Sequence, residues 1–500
     1  MNSEGTVRVR YAPSPTGLPH LGNIRTALLN WLFARRHGGQ FIFRLEDTDR
    51  ERYNPESEQA LIDALRWLGL DYDEGPDIGG PYAPYSQSQR LEHYRAATDR
   101  LIADGHAYRC FCTRERIQQI REARQAANIH PYGYDRHCRA LTAEDSSRRK
   151  AAGEPYVIRF AIPMEGETSF QDAVRGTITY RNRELDDHVL LKSDGFPTYQ
   201  LANVVDDHLM GITHVIRAEE WIPSTPRHVL EYQALGWELP VFAHASLIHG
   251  RDPKTGKTAK LSKRHGAVYA GEYREQGYLP EALFNYLALL GWSPGGDREV
   301  MTRDEMVSLF SLSGLSSSPA VFDIEKLTWM NGLYIRGLTP PELLERCLPF
   351  LQSAGMASTE PDAEERANLE RILTLEQERM KLLAEAPDLT GFFIGALPQY
   401  DEAAVSKRLR SAKARPVLDA MVRRLEPLAQ WETAAIEEAA TAVAEELGVG
   451  RGDVIHPTRV AATGRAIGPG LFETLWTLGR ERTMARLRHA RDTYTLEPGG

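Results

Sequence analysis

At 500 residues the chain exceeds what one hydrophobic core supports, so several domains are expected. A hydrophobic content of 42% with 26% charged residues describes a globular chain and excludes a disordered one, and four cysteines exclude a disulfide framework. The start "MNSEGTVRVR" has no apolar signal stretch, no run reaches membrane-spanning length and the net charge is −9, so we expect a cytoplasmic protein with no membrane partner and no generally basic surface.

In chain order, "TVRVRYA" alternates Val7, Val9 and Tyr11 with Arg8 and Arg10, the period of a half-buried strand. The loop "APSPTGLPHLGN" follows, and then Leu21, Ile24, Leu28 and Leu32 recur at the spacing of an amphipathic helix that Gly38 and Gly39 stop. "QFIFRLEDTD" reads as a second strand, completing a βαβ unit. In such a unit the loop lies at the carboxyl edge of the sheet, where free N–H groups at a helix N-terminus attract an anion. Pro13 and Pro15 stiffen this loop, while Gly17 and Gly22 let a ligand approach the backbone. Neither dinucleotide nor P-loop glycine spacing is present.

From about 100 to 190 the chain leaves this rhythm, with "CFC" and "RHC", and reads as an insertion. "YVIRFAIP", "GTITYRN", "HVLLKSDG", "THVIRAEEW" and "VFAHASLIH" read as strands and "TYQLANVVDDHLMG" as a helix. "KTGKTAKLSKRHG" (254–266) is a basic, strand-poor stretch. Beyond about 335 strand signals vanish in favour of helix formers, and the basic stretches 407–424 and 479–492 read as nucleic-acid patches or as solvated helix faces. The fold class is therefore α/β followed by an all-helical region.

Several of these segments resemble one family. "PHLGN" is similar to the H-x-G-H signature of class I aminoacyl-tRNA synthetases and "KLSKR" to their K-M-S-K-S loop. "RYAPSPTGLPHLGNIRTAL", "FRLEDTD", "DGFPTYQLANVVDDHLMGITHVIRAEEW" and "VFDIEKLTWMNG" closely resemble bacterial glutamyl-tRNA synthetases. The resemblance runs from Val7 to about residue 332 and more loosely through the helical region. It implies a Rossmann-type catalytic domain whose first half is 1–99, an inserted acceptor-stem-binding domain at 100–190, the second half with a stem-contact region and the KLSKR loop at 191–335, and an anticodon-binding region at 336–500. A glutaminyl relative would carry β-barrels in place of the helical third; a tRNA-modifying glutamyl transferase would lack that third, and a plain nucleotidyltransferase would need neither Arg10 nor Arg217. Asn23 stands where the signature's second histidine is expected, and no catalytic role is assigned to it.

The resemblance implies ATP-dependent activation of L-glutamate and its transfer to tRNA(Glu), with Mg2+ accompanying ATP and the protein acting as a monomer; whether tRNA(Gln) is also charged stays open. His20, Lys260 and Lys263 are the expected catalytic residues, and Ser14, Gly17, Gly22, Glu220, Leu261, Ser262 and Arg264 join them around ATP. Glutamate carries two carboxylates and one ammonium, so its pocket needs guanidinium donors and an acid. By resemblance Arg10 and Arg217 surround the γ-carboxylate and Glu46 takes the ammonium, with Ala12, Ser14, Tyr199 and Asn203 completing the pocket. Cys110, Cys112 and Cys138 resemble a zinc site found in some members, but Ala140 occupies the expected histidine position. Either His137 substitutes and Zn2+ is bound, or three reduced cysteines lie there. Arg379 falls near the position that reads the last anticodon base.

Overall fold

The structure is a computed structural model that describes residues 6–252, 254–262 and 268–495. β1 (Arg8–Tyr11) and β2 (Gln40–Phe43) pair in parallel, Arg8 opposite Gln40 and Tyr11 opposite Phe43, across the helix Leu21–Arg36. The chain leaves that helix through Gly38 at φ +59°, a conformation glycine adopts without steric cost. Gly39 is held by contact: a Cβ there would stand 2.3 Å from the Val7 carbonyl oxygen. The helix is buried on almost every side and not only along its leucine stripe. A second cover explains this, since Trp31 meets Phe284 edge-on at 5.6 Å and the Arg303 guanidinium lies over both rings.

β3 (Ala107–Cys110), β4 (Val157–Phe160) and β7 (Val189–Leu191) form an antiparallel sheet on a core of Leu101, Phe160, Leu190, Leu201 and Leu230. β5 (Glu167–Asp172) and β6 (Gly176–Arg181) form a hairpin that instead joins the parallel pair β8 (His214–Ala218) and β9 (Val241–Ala245), in the order β6-β5-β9-β8. The stretch from 100 to 190 is thus shared between two sheets. Thr213, just before β8, ties the second sheet to β1: its N–H donates to the Arg8 carbonyl at 2.9 Å, and its hydroxyl accepts the Arg8 N–H at 2.9 Å.

The strand-poor basic stretch contains one short strand. β11 (Thr258–Lys260) runs antiparallel to β10 (Ile248–Arg251), with His249 opposite Lys260, and β12 (Ala320–Phe322) lies parallel on the other side of β10. An available sheet edge outweighs weak local propensity here.

The chain divides into two compact units: residues up to Tyr273 with Leu283–Ile324, and Arg274–Ala282 with the chain from Glu325 onward. Among its described residues the second unit is entirely helical. Leu343, Cys347, Leu369 and Leu373 pack between the helices Pro340–Ser353 and Ala363–Glu376, and Val417, Met421, Val443, Leu475 and Leu487 build a second cluster toward the C-terminus. Several residues of the two basic stretches are engaged in ion pairs: Lys413 with Asp453, Arg423 and Arg424 with Glu446, Arg488 with Glu426, and Arg491 with Asp419. No helix among the described residues is long and apolar enough to cross a membrane.

Candidate functional site

The loop after β1 enters the first helix at His20, whose backbone is extended and whose Nδ1 accepts the Gly22 N–H at 3.1 Å. This N-cap bond fixes the tautomer, leaving the proton on Nε2. Burial and the Lys260 charge hold the imidazole below its ordinary pKa, so at neutral pH His20 is a neutral N–H donor. The segment after the basic loop is laced onto the same place: Leu21 N–H donates to the Val268 carbonyl at 2.9 Å and Ala270 N–H to the Pro19 carbonyl at 3.2 Å. Two motifs more than 200 residues apart therefore meet, around a pocket of about 240 Å³ lined by His20, Gly22, Asn23, Glu220, Lys260 and Leu261, among others. Within it the Lys260 ammonium pairs with the Glu220 carboxylate. Gly17 and Ser262 line neither this pocket nor the cleft beside it, and a Cβ on Gly17 would meet nothing within 4 Å. Lys263 and Arg264 lie outside the described residues.

The adjacent cleft, of about 740 Å³, is lined by Arg10, Ala12, Ser14, Glu46, Tyr199, Asn203 and Arg217 together. Asn23, Thr26, Ala218 and Glu220 line both cavities, so the two share a wall. Asn23, given no role from the sequence, thus stands between them.

The charges in the cleft are arranged unequally. Arg10 is held by Asp207, through Nε at 3.0 Å and Nη2 at 3.1 Å. Asp207 also accepts from Arg44 at 2.7 Å, and Arg44 reaches Glu46 at 3.2 Å. Burial alone would lower the Arg44 pKa, but Asp207, Asp206 and Glu46 hold it well above its ordinary value. Burial raises the Glu46 carboxyl against the pull of Arg44 and Arg10. Arg217 differs: its Nη1 donates to the Tyr199 hydroxyl at 3.0 Å, its Nη2 to the Thr225 hydroxyl at 2.9 Å and its Nε to His244 at 3.1 Å. No carboxylate among the described residues pairs with it. A buried cation surrounded by neutral acceptors favours an anionic ligand.

Away from this cleft, the sulfurs of Cys110, Cys112 and Cys138 lie within 4.8 Å of one another. The expectation that His137 completes the set is not met. His137 is exposed and outside the cluster, because adjacent residues in the tight turn that starts at His137 direct their side chains apart. The Tyr134 hydroxyl is the oxygen at hand, 3.7 Å from Cys112 Sγ and accepting the Cys138 N–H at 2.7 Å. The neighbouring thiols of Cys110 and Cys138 shift each other in opposite directions, Cys110 down and Cys138 up. In the helical unit, Arg379 donates through Nη1 to the buried Glu376 at 2.6 Å.

Sequence reading missed Asp207, Arg44, His244 and Tyr134. A signal existed for the first two, since Asp207 falls in the apolar run of "LANVVDDHLMG" and Arg44 directly after "FIF", and charges in such runs need partners.

A family model for class I tRNA synthetases (E and Q), catalytic domain, matches residues 6–329, and an anticodon binding domain matches 342–491. A glutamate–tRNA ligase of Dehalococcoides mccartyi is 48% identical over 488 residues, 97% of each chain. One from a Roseiflexus species is 47% identical over 501 residues, 99% of this chain and 98% of its own. A crystal structure of a glutamate tRNA ligase from Elizabethkingia meningosepticum, in complex with its amino acid, superposes with a TM-score of 0.89 at 37% identity, covering 98% of this chain and 100% of that one.

Proposed function

The chain belongs to the glutamate–tRNA ligases of the class I synthetase family, and from that premise we propose how its residues divide the work. The α-carboxylate of glutamate attacks the α-phosphorus of ATP and expels pyrophosphate. The terminal ribose hydroxyl of tRNA then attacks the acyl carbon and releases AMP. Both steps ask the protein mainly for positioning and charge stabilisation.

The ATP phosphates are assigned to the loop from Ser14 to Gly22, with the His20 Nε2–H donating to them. Lys260 turns from Glu220 toward the phosphates once ATP arrives with Mg2+, freeing Glu220 for the nucleoside side, and Lys263 and Arg264 are assigned to the departing pyrophosphate. Glutamate is assigned to the adjoining cleft. Its side-chain carboxylate meets Arg217 and the Tyr199 hydroxyl, which accepts from Arg217 and keeps its own O–H to donate. Arg10, already neutralised by Asp207 through Nε and Nη2, contributes through Nη1, which bonds to no group among the described residues. Glu46 takes the ammonium. Arg379, steadied by Glu376, is assigned to the anticodon.

The observation that carries this reading is Arg217, a buried guanidinium with no carboxylate partner among the described residues, in a cleft that shares a wall with the His20 pocket. Charging of purified tRNA(Glu) and tRNA(Gln) with labelled glutamate or glutamine tests it. Glutamate should load tRNA(Glu) with ATP, and glutamine should not. Loading of glutamine at comparable kcat/KM overturns the pocket assignment, and loading of tRNA(Gln) with glutamate widens the tRNA range alone.

We further infer that the three cysteines hold Zn2+, with the Tyr134 oxygen or water as fourth ligand. Three thiols at this spacing suit a tetrahedral ion, which would tie the end of β3 to the 134–138 turn. Purified protein should then contain about one zinc per chain by metal analysis, and Cys138→Ser should release it.

A further inference from the structure

A row of side chains crosses three neighbouring strands behind the cleft. Asp172 ends β5, His244 lies in β9, and Arg217 lies in β8 directly opposite His244. All three are buried, His244 completely. One oxygen of Asp172 accepts the N–H groups of Val174 and Arg175, each at 3.0 Å. The other accepts the His244 N–H at 3.1 Å and faces His244 Nδ1 at 2.6 Å. On the far side of the ring, Nε2 is 3.1 Å from Arg217 Nε.

Chemistry settles where the proton is. A guanidinium offers only donors, so Nε2 must present its lone pair to Arg217, and Nδ1 therefore carries the proton and donates it to Asp172. A second imidazole behaves alike, with His228 Nδ1 lying 3.4 Å from both terminal nitrogens of Arg217. Burial and the Arg217 charge keep both rings neutral, His244 at about 4 and His228 well below its ordinary value.

We infer that Asp172 and His244 are positioning residues for amino-acid selection: Asp172 fixes the His244 tautomer, and that tautomer orients Arg217 by a lone pair without neutralising it. The substrate carboxylate is then the first full negative charge to touch the guanidinium, and a neutral amide in its place leaves the charge unmet. The inference rests on the assignment of Arg217 to that carboxylate.

The test compares His244→Asn, His244→Gln and Asp172→Asn, with Arg217→Gln as the reference, in the full-length enzyme. Asparagine carries polar atoms only to where Nδ1 stands, whereas glutamine carries an acceptor to where Nε2 stands. An amide at 172 turns an N–H against a donor in either orientation, because all four neighbours of the carboxylate donate. His244→Asn and Asp172→Asn should raise the glutamate KM about tenfold or more, leave the ATP KM within about twofold, and narrow the preference for glutamate over glutamine. His244→Gln should recover most of that loss, to within about threefold of the parent. A folded Asp172→Asn and His244→Asn pair with unchanged glutamate KM, beside an Arg217→Gln enzyme whose KM has risen, overturns the inference alone. An Arg217→Gln enzyme with unchanged KM overturns the pocket assignment beneath it. Equal losses in His244→Gln and His244→Asn, with both KM values moving, show that the ring serves packing and likewise overturn the inference.

Discussion

Arg217 in the cleft and Arg486 in the helical unit are both buried arginines that pair with no carboxylate among the described residues, and they are held in opposite ways. Arg486 is fully buried and directs its donors at main-chain oxygens: Phe392 at 2.7 Å, Ala462 at 2.8 Å, Ala396 at 3.0 Å, and Gly395. The carbonyls of Phe392, Gly395 and Ala396 lie at the end of the helix Ala386–Ile394 and that of Ala462 in the last turn of the helix Arg451–Thr463, where a last turn leaves acceptors without intrahelical partners. Burial lowers the Arg486 pKa to about 10. Arg217 meets side chains only, two imidazoles and two hydroxyls, and borders a cavity. Backbone carbonyls make a cation part of the frame, while side-chain acceptors beside a cleft hold it ready for a ligand.

The sharpest way to break this contrast is to remove the framework arginine. Arg486→Met keeps the volume but leaves four carbonyls without their donor, at roughly 1–3 kcal/mol for each buried group left unmet. Chemical denaturation should show a loss of at least about 4 kcal/mol, with the glutamate KM of the surviving folded enzyme unchanged. Arg488→Ala, which breaks only an exposed pair with Glu426, should cost no more than about 0.5 kcal/mol. A small loss for Arg486→Met would mean that the main chain there relaxes or hydrates.

Arg217→Gln should give the reverse result. The fold should hold, since no ion pair is broken and the neutral side chains around Arg217 keep an amide to bond with, but the glutamate KM should rise about 10²- to 10³-fold as a buried charge-assisted pair with the substrate is lost. Steady-state charging against glutamate concentration reads it directly. Arg10→Gln belongs between the two: Asp207 would lose Arg10 but keep Arg44, so stability and substrate affinity should both fall.

Much of this architecture was legible before any coordinates. Alternation and helical spacing report which face is buried, and they located β1, the first helix, β2, and β4 and β6 to β9. Motif resemblance gathered Arg10, Glu46, Tyr199, Asn203 and Arg217, which line one cleft. Partnership was not legible. A charged residue in an apolar run announces that it needs a counter-group, but not that Arg44 meets an acid 163 positions away or that His244 meets Asp172 at a separation of 72. Steric need was also hidden: Gly39 reads in the sequence only as part of a helix stop, yet a side chain there would strike the Val7 carbonyl. Nor did the sequence show that Tyr134, and not His137, lies beside the sulfurs.

Titration offers the finest test of the contrast, because one cage contains ionisable groups and the other does not. His244 has a folded pKa of about 4 against an ordinary value of 6.5, lowered chiefly by burial. Below pH 6.5 the unfolded chain therefore takes up a proton that the folded one refuses. The stability linked to this ring is fully present above that pH and is lost as the pH falls toward 4, amounting to roughly 3 kcal/mol over the window. His214, also lowered to about 4, and His228 act in the same direction, while the raised carboxyls of Glu46 and Glu231 oppose them. The difference between parent and variant isolates one ring from these neighbours. In urea unfolding between pH 6 and 4.5, His244→Gln should flatten the slope of stability against pH by about 1.4 kcal/mol per pH unit, whereas Arg488→Ala should leave it unchanged. Parallel slopes for parent and His244→Gln would mean that the ring is already protonated when folded, and Arg217 would then face a second cation instead of a lone pair.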